Sequence, residues 1–256
     1  MLIDTVKKKY AVLWCTEVPG DEILQEKMIA TFGRAGEQWD VLEPARDGFL
    51  ERAMGYDGYV ISGSPMSVVD DADSLLVSNL LALIRRVSDE AGSPLIGLCF
   101  GSQAIAAALG GRVARNPSGR FKLGVDALRW DPVAVELLGA ALAQAPSVLV
   151  QSHGECVAAL PPGSVLLASS QTIPHEVFLV QGRILGIQGH PEVDRQFLKD
   201  KFMAYHRALF DDEQWAHVEQ EASQPLSPDA VIALGRRLLD EGALAPAAVP
   251  TLTETT

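Results

Sequence analysis

The sequence predicts an α/β fold in which a central, mostly parallel sheet is covered by helices on both faces. Short apolar runs such as "YAVLWC" (10–15) and "PLIGLC" (94–99) alternate with longer segments of helical pattern. These runs are apolar at nearly every position rather than at alternate ones, which suits strands buried on both faces, as a parallel sheet requires. From Val193 onward the pattern is helical, which adds a C-terminal helical extension.

In chain order, "YAVLWC" is a strand and a helix follows over about 21–36. "WDVLEP" (39–44) is the second strand, and "YDGYVISGS" (56–64) ends the third. A helix near 74–91 is started by the acidic run "DDAD" (70–73), where a helix N-terminus favours negative charge. The strand 94–99 then leads into a helix that Gly101 opens. The middle of the chain changes character. "GRVARN", "FKLGVDALRW", "SVLVQSH", "SVLLASS", "HEVFLV" and "RILGIQGH" are strand-like and mostly joined by short turns, an extension of the sheet plus an antiparallel edge. Helices are expected near 193–208, 212–222 and 227–241. The expected division is a main domain over 1–210, a helical extension over 211–242, and a tail over 243–256. The tail's Pro, Ala and Thr show little periodicity, so no fixed structure is expected of it.

A net charge of −12 provides no basic face for nucleic acid. No apolar run approaches the roughly 18 residues of a membrane span, and "MLIDTVKKKYAVLWC" lacks the apolar core and cleavage site of a signal peptide. Three cysteines in a long chain with an ample core do not make a disulfide framework, so free thiols and a cytoplasmic home are expected. Neither a phosphate-binding Gly loop nor a paired metal-ligand motif is present, and no cofactor is expected.

"GLCFG" (97–101) carries the chemistry. A strand that turns tightly into a helix is the geometry of a nucleophile elbow, here with Cys99 at the nucleophile position. The flanking glycines are required because a Cβ at either position would collide with the neighbouring strand or helix. The helix N-terminus favours a thiolate, and the Phe100 N–H points where an oxyanion would form. Most free cysteines are buried small hydrophobes, but the paired glycines at a strand-to-helix junction favour the nucleophile. Its base is read from "GIQGHPEV" (186–193). There Pro191 fixes the backbone between His190 and Glu192, so the carboxylate can orient the imidazole.

"GLCFGSQ" followed by "GIQGHPE" resembles the class I glutamine amidotransferase family, whose pattern is G-x-C-x-G-x-Q and a distant H-P-E. The resemblance spans roughly residues 10 to 210. It implies a flavodoxin-like fold and hydrolysis of a γ-glutamyl amide through a glutamyl-thioester, with a Cys99–His190–Glu192 triad. Gln103 and Gly101 would help to hold the glutamyl group, and Gly63 and Ser64 would join Phe100 in the oxyanion hole. "TFGRAGEQWDVL", "YDGYVISGS" and "IQGHPE" together look most like the stand-alone γ-glutamyl peptidase branch. Two departures stand out: Ser64 replaces a glycine in the oxyanion loop, and Ser102 replaces the histidine of a commoner G-H-Q.

Other signals are weaker. "QSHGECV" (151–157) is similar to a family S-H-x-D/E segment, so Glu155 or the loop around His153 could bind the substrate α-amino group. Glu176 could support the site, though an ordinary edge strand explains it as well. Arg120 or Lys122 could bind a carboxylate, against the simpler reading as solvated cations. Cys15 and Cys156 read as core fillers. Met66, Val68 and Val69 could line a space for an amine substituent. The expected partner is a small γ-glutamyl substrate, with neither nucleic acid nor membrane, and with homo-oligomerisation left open. A glutaminase subunit that supplies ammonia to a separate synthetase has the same chemistry and is the alternative. A non-catalytic binding protein on this fold is disfavoured by the intact triad.

Overall fold

The computed structural model describes residues 7–16, 22–90, 92–140 and 144–244. Its main sheet has eight strands in the order β2-β1-β3-β4-β12-β11-β10-β7. β1 (Lys9–Leu13), β2 (Gln38–Leu42), β3 (Gly58–Ile61), β4 (Leu95–Leu98) and β12 (Ile184–Ile187) are parallel neighbours. β11 (Val177–Val180), β10 (Val165–Ser169) and β7 (Arg129–Trp130) extend the sheet antiparallel. Every residue of β3, β4, β11 and β12 is buried, which is why these strands read as unbroken apolar runs. The remaining strands form two antiparallel pairs. One joins β5 (Arg112–Arg115) to β9 (Glu155–Ala159), and the other joins β6 (Lys122–Ala127) to β8 (Val148–His153).

Helices α1 (Glu22–Phe32), α2 (Phe49–Ala53), α3 (Leu75–Asp89) and α4 (Phe100–Ala108) follow the first four strands. Leu76, Val77, Leu80, Leu83, Ile84 and Val87 form the buried stripe of α3. This helix begins later than the acidic run suggested. Ser74 is its N-cap, accepting from the Val77 N–H, while residues 70–73 form the preceding turn. Three elements were not expected, the short α2 among them. β9 follows β8 after Gly154 alone, and α5 (Pro132–Leu138) starts at a Pro whose preceding Asp131 caps it. That Asp-Pro pair is a readable helix start.

The last three helical segments agree with expectation. Residues 195–206 form α6, which begins as Arg195–Phe197, widens to a π-helical stretch over Leu198–Met203 and ends as Ala204–His206. α7 (Asp212–Ala222) opens with a capping box between Asp211 and Gln214. α8 (Asp229–Glu241) lays Val231, Leu234 and Leu238 into the core that also holds Tyr10 and Phe32. Its Arg236 is buried in ion pairs with Glu37 at 2.9 Å and Asp240 at 2.5 Å. Leu244 is buried, with its N–H on the Gly182 carbonyl at 2.6 Å. The rest of the expected tail lies outside the described residues. No described helix is long and apolar enough to cross a membrane.

Candidate active site

β4 delivers Cys99 to the turn and α4 carries the chain away. The Cys99 N–H extends the sheet ladder to the Ile187 carbonyl at 2.8 Å, and the residue then adopts φ 50°, ψ −105°. A non-glycine residue in this region is strained by about 1–3 kcal/mol and persists where surrounding structure enforces it. The flanking glycines are sterically required. A Cβ at Gly97 would lie 2.5 Å from the Gly101 backbone, and one at Gly101 would lie 2.8 Å from Ile61 on β3. The first turn of α4 closes on the Cys99 carbonyl, which accepts from the N–H groups of Ser102 and Gln103. The Ser102 hydroxyl also donates to it at 2.7 Å, so this fully buried residue ties the elbow rather than presenting a surface.

β12 lies beside β4 in the sheet and brings in the second motif. The His190 N–H bonds to the Val150 carbonyl at 2.9 Å, and the Glu192 carboxylate receives His190 Nδ1–H at 2.8 Å. Both residues are buried. Burial alone would lower the His190 pKa, but the negative charges of Glu192 and Cys99, with hydrogen bonds to both, push it up to about 10. The Glu192 carboxylate therefore favours the protonated form of the ring. Glu192 Oε2 is buried and finds no partner among the described residues, so the carboxylate is aimed at His190 through one oxygen only. Gly63 passes directly against the pair. A Cβ there would lie 2.9 Å from His190 Cε1 and 3.8 Å from Cys99 Cβ. No hydrogen bond among the described residues uses the Gly63 or Phe100 N–H, which leaves both free for a ligand oxygen. The Ser64 side chain turns away from the pair to accept from the Met66 N–H at 3.1 Å.

These groups open into one cleft of about 740 Å³, bordered by Gly63, Ser64, Cys99, Phe100, Gln103, His153, Glu155 and His190. The structure therefore brings together most of the residues singled out from sequence. Gly101 is an exception: it faces Ile61 and does not border the cleft, so its part is steric rather than substrate contact. Among the proposed apolar lining, Met66 borders the cleft, whereas Val68 is buried in the core and Val69 is 53% exposed away from it. Arg120 and Lys122 are also off the cleft, with Lys122 paired to Glu221 at 2.6 Å. Cys15 and Cys156 are buried free thiols, pushed by burial up to about 12 and about 11.

Apart from Gln103, sequence reading missed a layer of amides behind the sulfur. Gln188 Nε2 lies 3.7 Å from Cys99 Sγ, and Gln103 Nε2 donates to the Glu155 carbonyl at 2.9 Å while lying 3.4 Å from Gln188 Oε1. His153 has both ring nitrogens occupied, Nδ1 with Asn116 Oδ1 and Nε2 with Gln151 Oε1. Burial and the charge of His190 push its pKa down to about 3. Gln151 Nε2 in turn donates to Glu176 at 3.1 Å. Glu176 is fully buried, and burial raises its pKa to about 7 against hydrogen bonds from Ser170 and Gln151 that favour the ionised form.

That elevation makes stability pH-dependent. Because the folded pKa lies above the unfolded one, the contribution is full below about 4.5 and lost as pH rises through about 7. Glu176→Gln, which cannot ionise, is expected to exceed wild type in unfolding free energy by about 3 kcal/mol at pH 8, the advantage shrinking towards pH 4.5. Urea denaturation of both proteins across this range measures it. Parallel pH curves would show that Glu176 does not titrate there.

A cysteine on a strand-to-helix elbow, a buried imidazole–carboxylate pair and free backbone N–H groups around one cleft define a site suited to acyl transfer through sulfur. Residues 24–205 match the family model of the class-I glutamine amidotransferases, and the chain belongs to that family. Among curated relatives, "Gamma-glutamyl peptidase 3" of Arabidopsis thaliana is 29% identical over 80% of this chain and 82% of its own. A glutamine-hydrolysing GMP synthase of Leifsonia xyli is 33% identical over 71% of this chain but only 35% of its own length. Among solved structures, a glutamine amidotransferase of Thermotoga maritima superposes with a TM-score of 0.66 at 19% identity, covering 90% of this chain and 98% of that one. This likeness concerns the fold.

Proposed function

We propose that the protein is a free-standing hydrolase of γ-glutamyl amides or peptides, with Cys99, His190 and Glu192 as its triad. The observation that carries this reading is the strained Cys99 elbow in one cleft with the His190–Glu192 pair. The Cys99 sulfur attacks the γ-carbonyl carbon, and the oxygen becomes an anion held by the Phe100 N–H and the Gly63–Ser64 loop. Collapse of this intermediate breaks the C–N bond, and His190 gives its proton to the departing amine. The glutamyl group remains on sulfur as a thioester. His190, now neutral, takes a proton from water, whose oxygen attacks the thioester. Glutamate leaves and the thiolate–imidazolium pair is restored. Glu192 orients the ring throughout.

The resemblance to a γ-glutamyl peptidase over most of both chains supports a stand-alone role. The second reading, ammonia supply to a synthetase, is favoured by the GMP synthase relative. The test incubates the isolated protein with glutamine and with γ-glutamyl amides of larger amines, measuring glutamate and amine release. The expected result is turnover without any partner, with kcat/KM higher for the larger amines than for glutamine. Activity confined to glutamine, or appearing only after a synthetase is added, would support the second reading.

A further inference from the structure

The cleft has two chemically different walls. On one, Arg115 and Glu155 are cross-strand partners, and the Asp70 carboxylate lies 3.8 Å from the Arg115 guanidinium. This wall offers both signs of charge, matching the ammonium and carboxylate of a glutamyl head. The other wall is aromatic. Phe202 meets the His190 ring edge-on with centroids 5.1 Å apart. The His206 ring lies 4.3 Å from that of Phe121 and 4.9 Å from that of Tyr205. Tyr205 is 66% exposed and borders the same cleft, so its ring face is open to a ligand there. Lys201 borders the same cleft and forms no ion pair with any described residue.

The departing amine must leave on the side from which it receives its proton. That proton comes from His190, and Phe202 is the side chain whose ring meets the His190 ring edge-on. An amine substituent therefore runs along the wall built by α6 and Phe121. The π-helical stretch that carries Lys201 and Phe202 shifts the face of α6 by a widened turn, a distortion often found at functional sites.

We propose that this wall is a binding site for the departing amine and selects one bearing both an aromatic ring and a carboxylate, as in a γ-glutamyl aromatic amino acid. The ring stacks on Tyr205 and Phe202, and the carboxylate meets Lys201, which forms no ion pair with any described residue. The proposal rests on the hydrolase reading above. Its test measures kcat/KM for γ-glutamyl-phenylalanine, γ-glutamyl-alanine and γ-glutamyl-phenethylamide, the last keeping the ring without the carboxylate. Wild type is expected to prefer the phenylalanine substrate to the alanine one by roughly ten-fold, and to the phenethylamide by a smaller factor. Tyr205→Ala should bring the first ratio close to one. Lys201→Gln should erase the second ratio and keep the first. Both side chains are exposed, so melting curves should coincide with wild type and separate a lost contact from a lost fold. Steady turnover of all three substrates with ratios near one in wild type, or ratios unchanged in both variants, overturns the subsite while leaving the hydrolase reading intact. Failure to cleave any of the three by a protein that hydrolyses glutamine overturns the hydrolase reading, and the subsite with it.

Discussion

Replacing Cys99 by alanine is expected to remove glutamate release from every γ-glutamyl substrate, lowering kcat by roughly six orders of magnitude, the scale seen when a nucleophile is deleted. The loss follows from the elbow. Cys99 is held at φ 50° with its sulfur beside His190, and the remaining backbone donors cannot supply an attacking atom. The melting temperature should change little, because only Sγ is removed and the strained backbone is unaltered. Cys15→Ala and Cys156→Ala are the controls. Both thiols are buried, raised in pKa by burial and away from the cleft, so both variants should keep near-normal turnover. Near-normal activity in Cys99→Ala would defeat the mechanism.

Glu192→Gln should lower kcat far more than it raises KM. The amide oxygen can still accept from His190 Nδ1–H, so the ring keeps its orientation, but the negative charge that holds the imidazolium is gone. An Asp→Asn change at the corresponding position of a serine triad costs about 10⁴ in kcat. A thiolate depends less on its base, so a smaller loss, on the order of 10² to 10³, is expected here. The pH profile gives an independent sign. The wild-type His190 pKa is raised by Glu192 and Cys99 together; without the carboxylate it falls. The protonated ring that serves the leaving amine is then lost at lower pH, and the alkaline limb of kcat/KM should move down. A profile superimposable on wild type would remove Glu192 from the triad.

The local motifs were readable because their physics is local. Gly97 and Gly101 flank Cys99 within five residues, and steric exclusion at a strand-to-helix turn dictates both glycines. Pro191 similarly couples His190 to Glu192 over three residues. The apolar runs that became β3, β4 and β12 were readable as well, since burial on both faces leaves no polar position. The elements that escaped were those decided by distant neighbours. β9 pairs with β5 across some forty residues rather than with the adjacent β8, and a pattern along the chain does not specify that partner.

By itself, then, the sequence determined the α/β class, the elbow that exposes a sulfur and the fixed imidazole–carboxylate unit. Only the tertiary structure decided that these two units face each other. They stand on β4 and β12, which are far apart in the chain and become neighbours through a parallel crossover in the sheet. It also decided the surroundings of the sulfur. Gln188, Gln151 and Asn116 look like ordinary polar residues of strands and turns until packing aligns their amides behind Cys99 and His153. Phe202, Tyr205 and His206 read as part of one more helix, because an aromatic side chain announces burial or binding only when the surface opposite it is known. The reason is common to both cases. Steric demands act within a few residues and leave a trace in spacing, whereas a hydrogen-bond partner or a cleft wall is chosen by whichever part of the chain arrives in space.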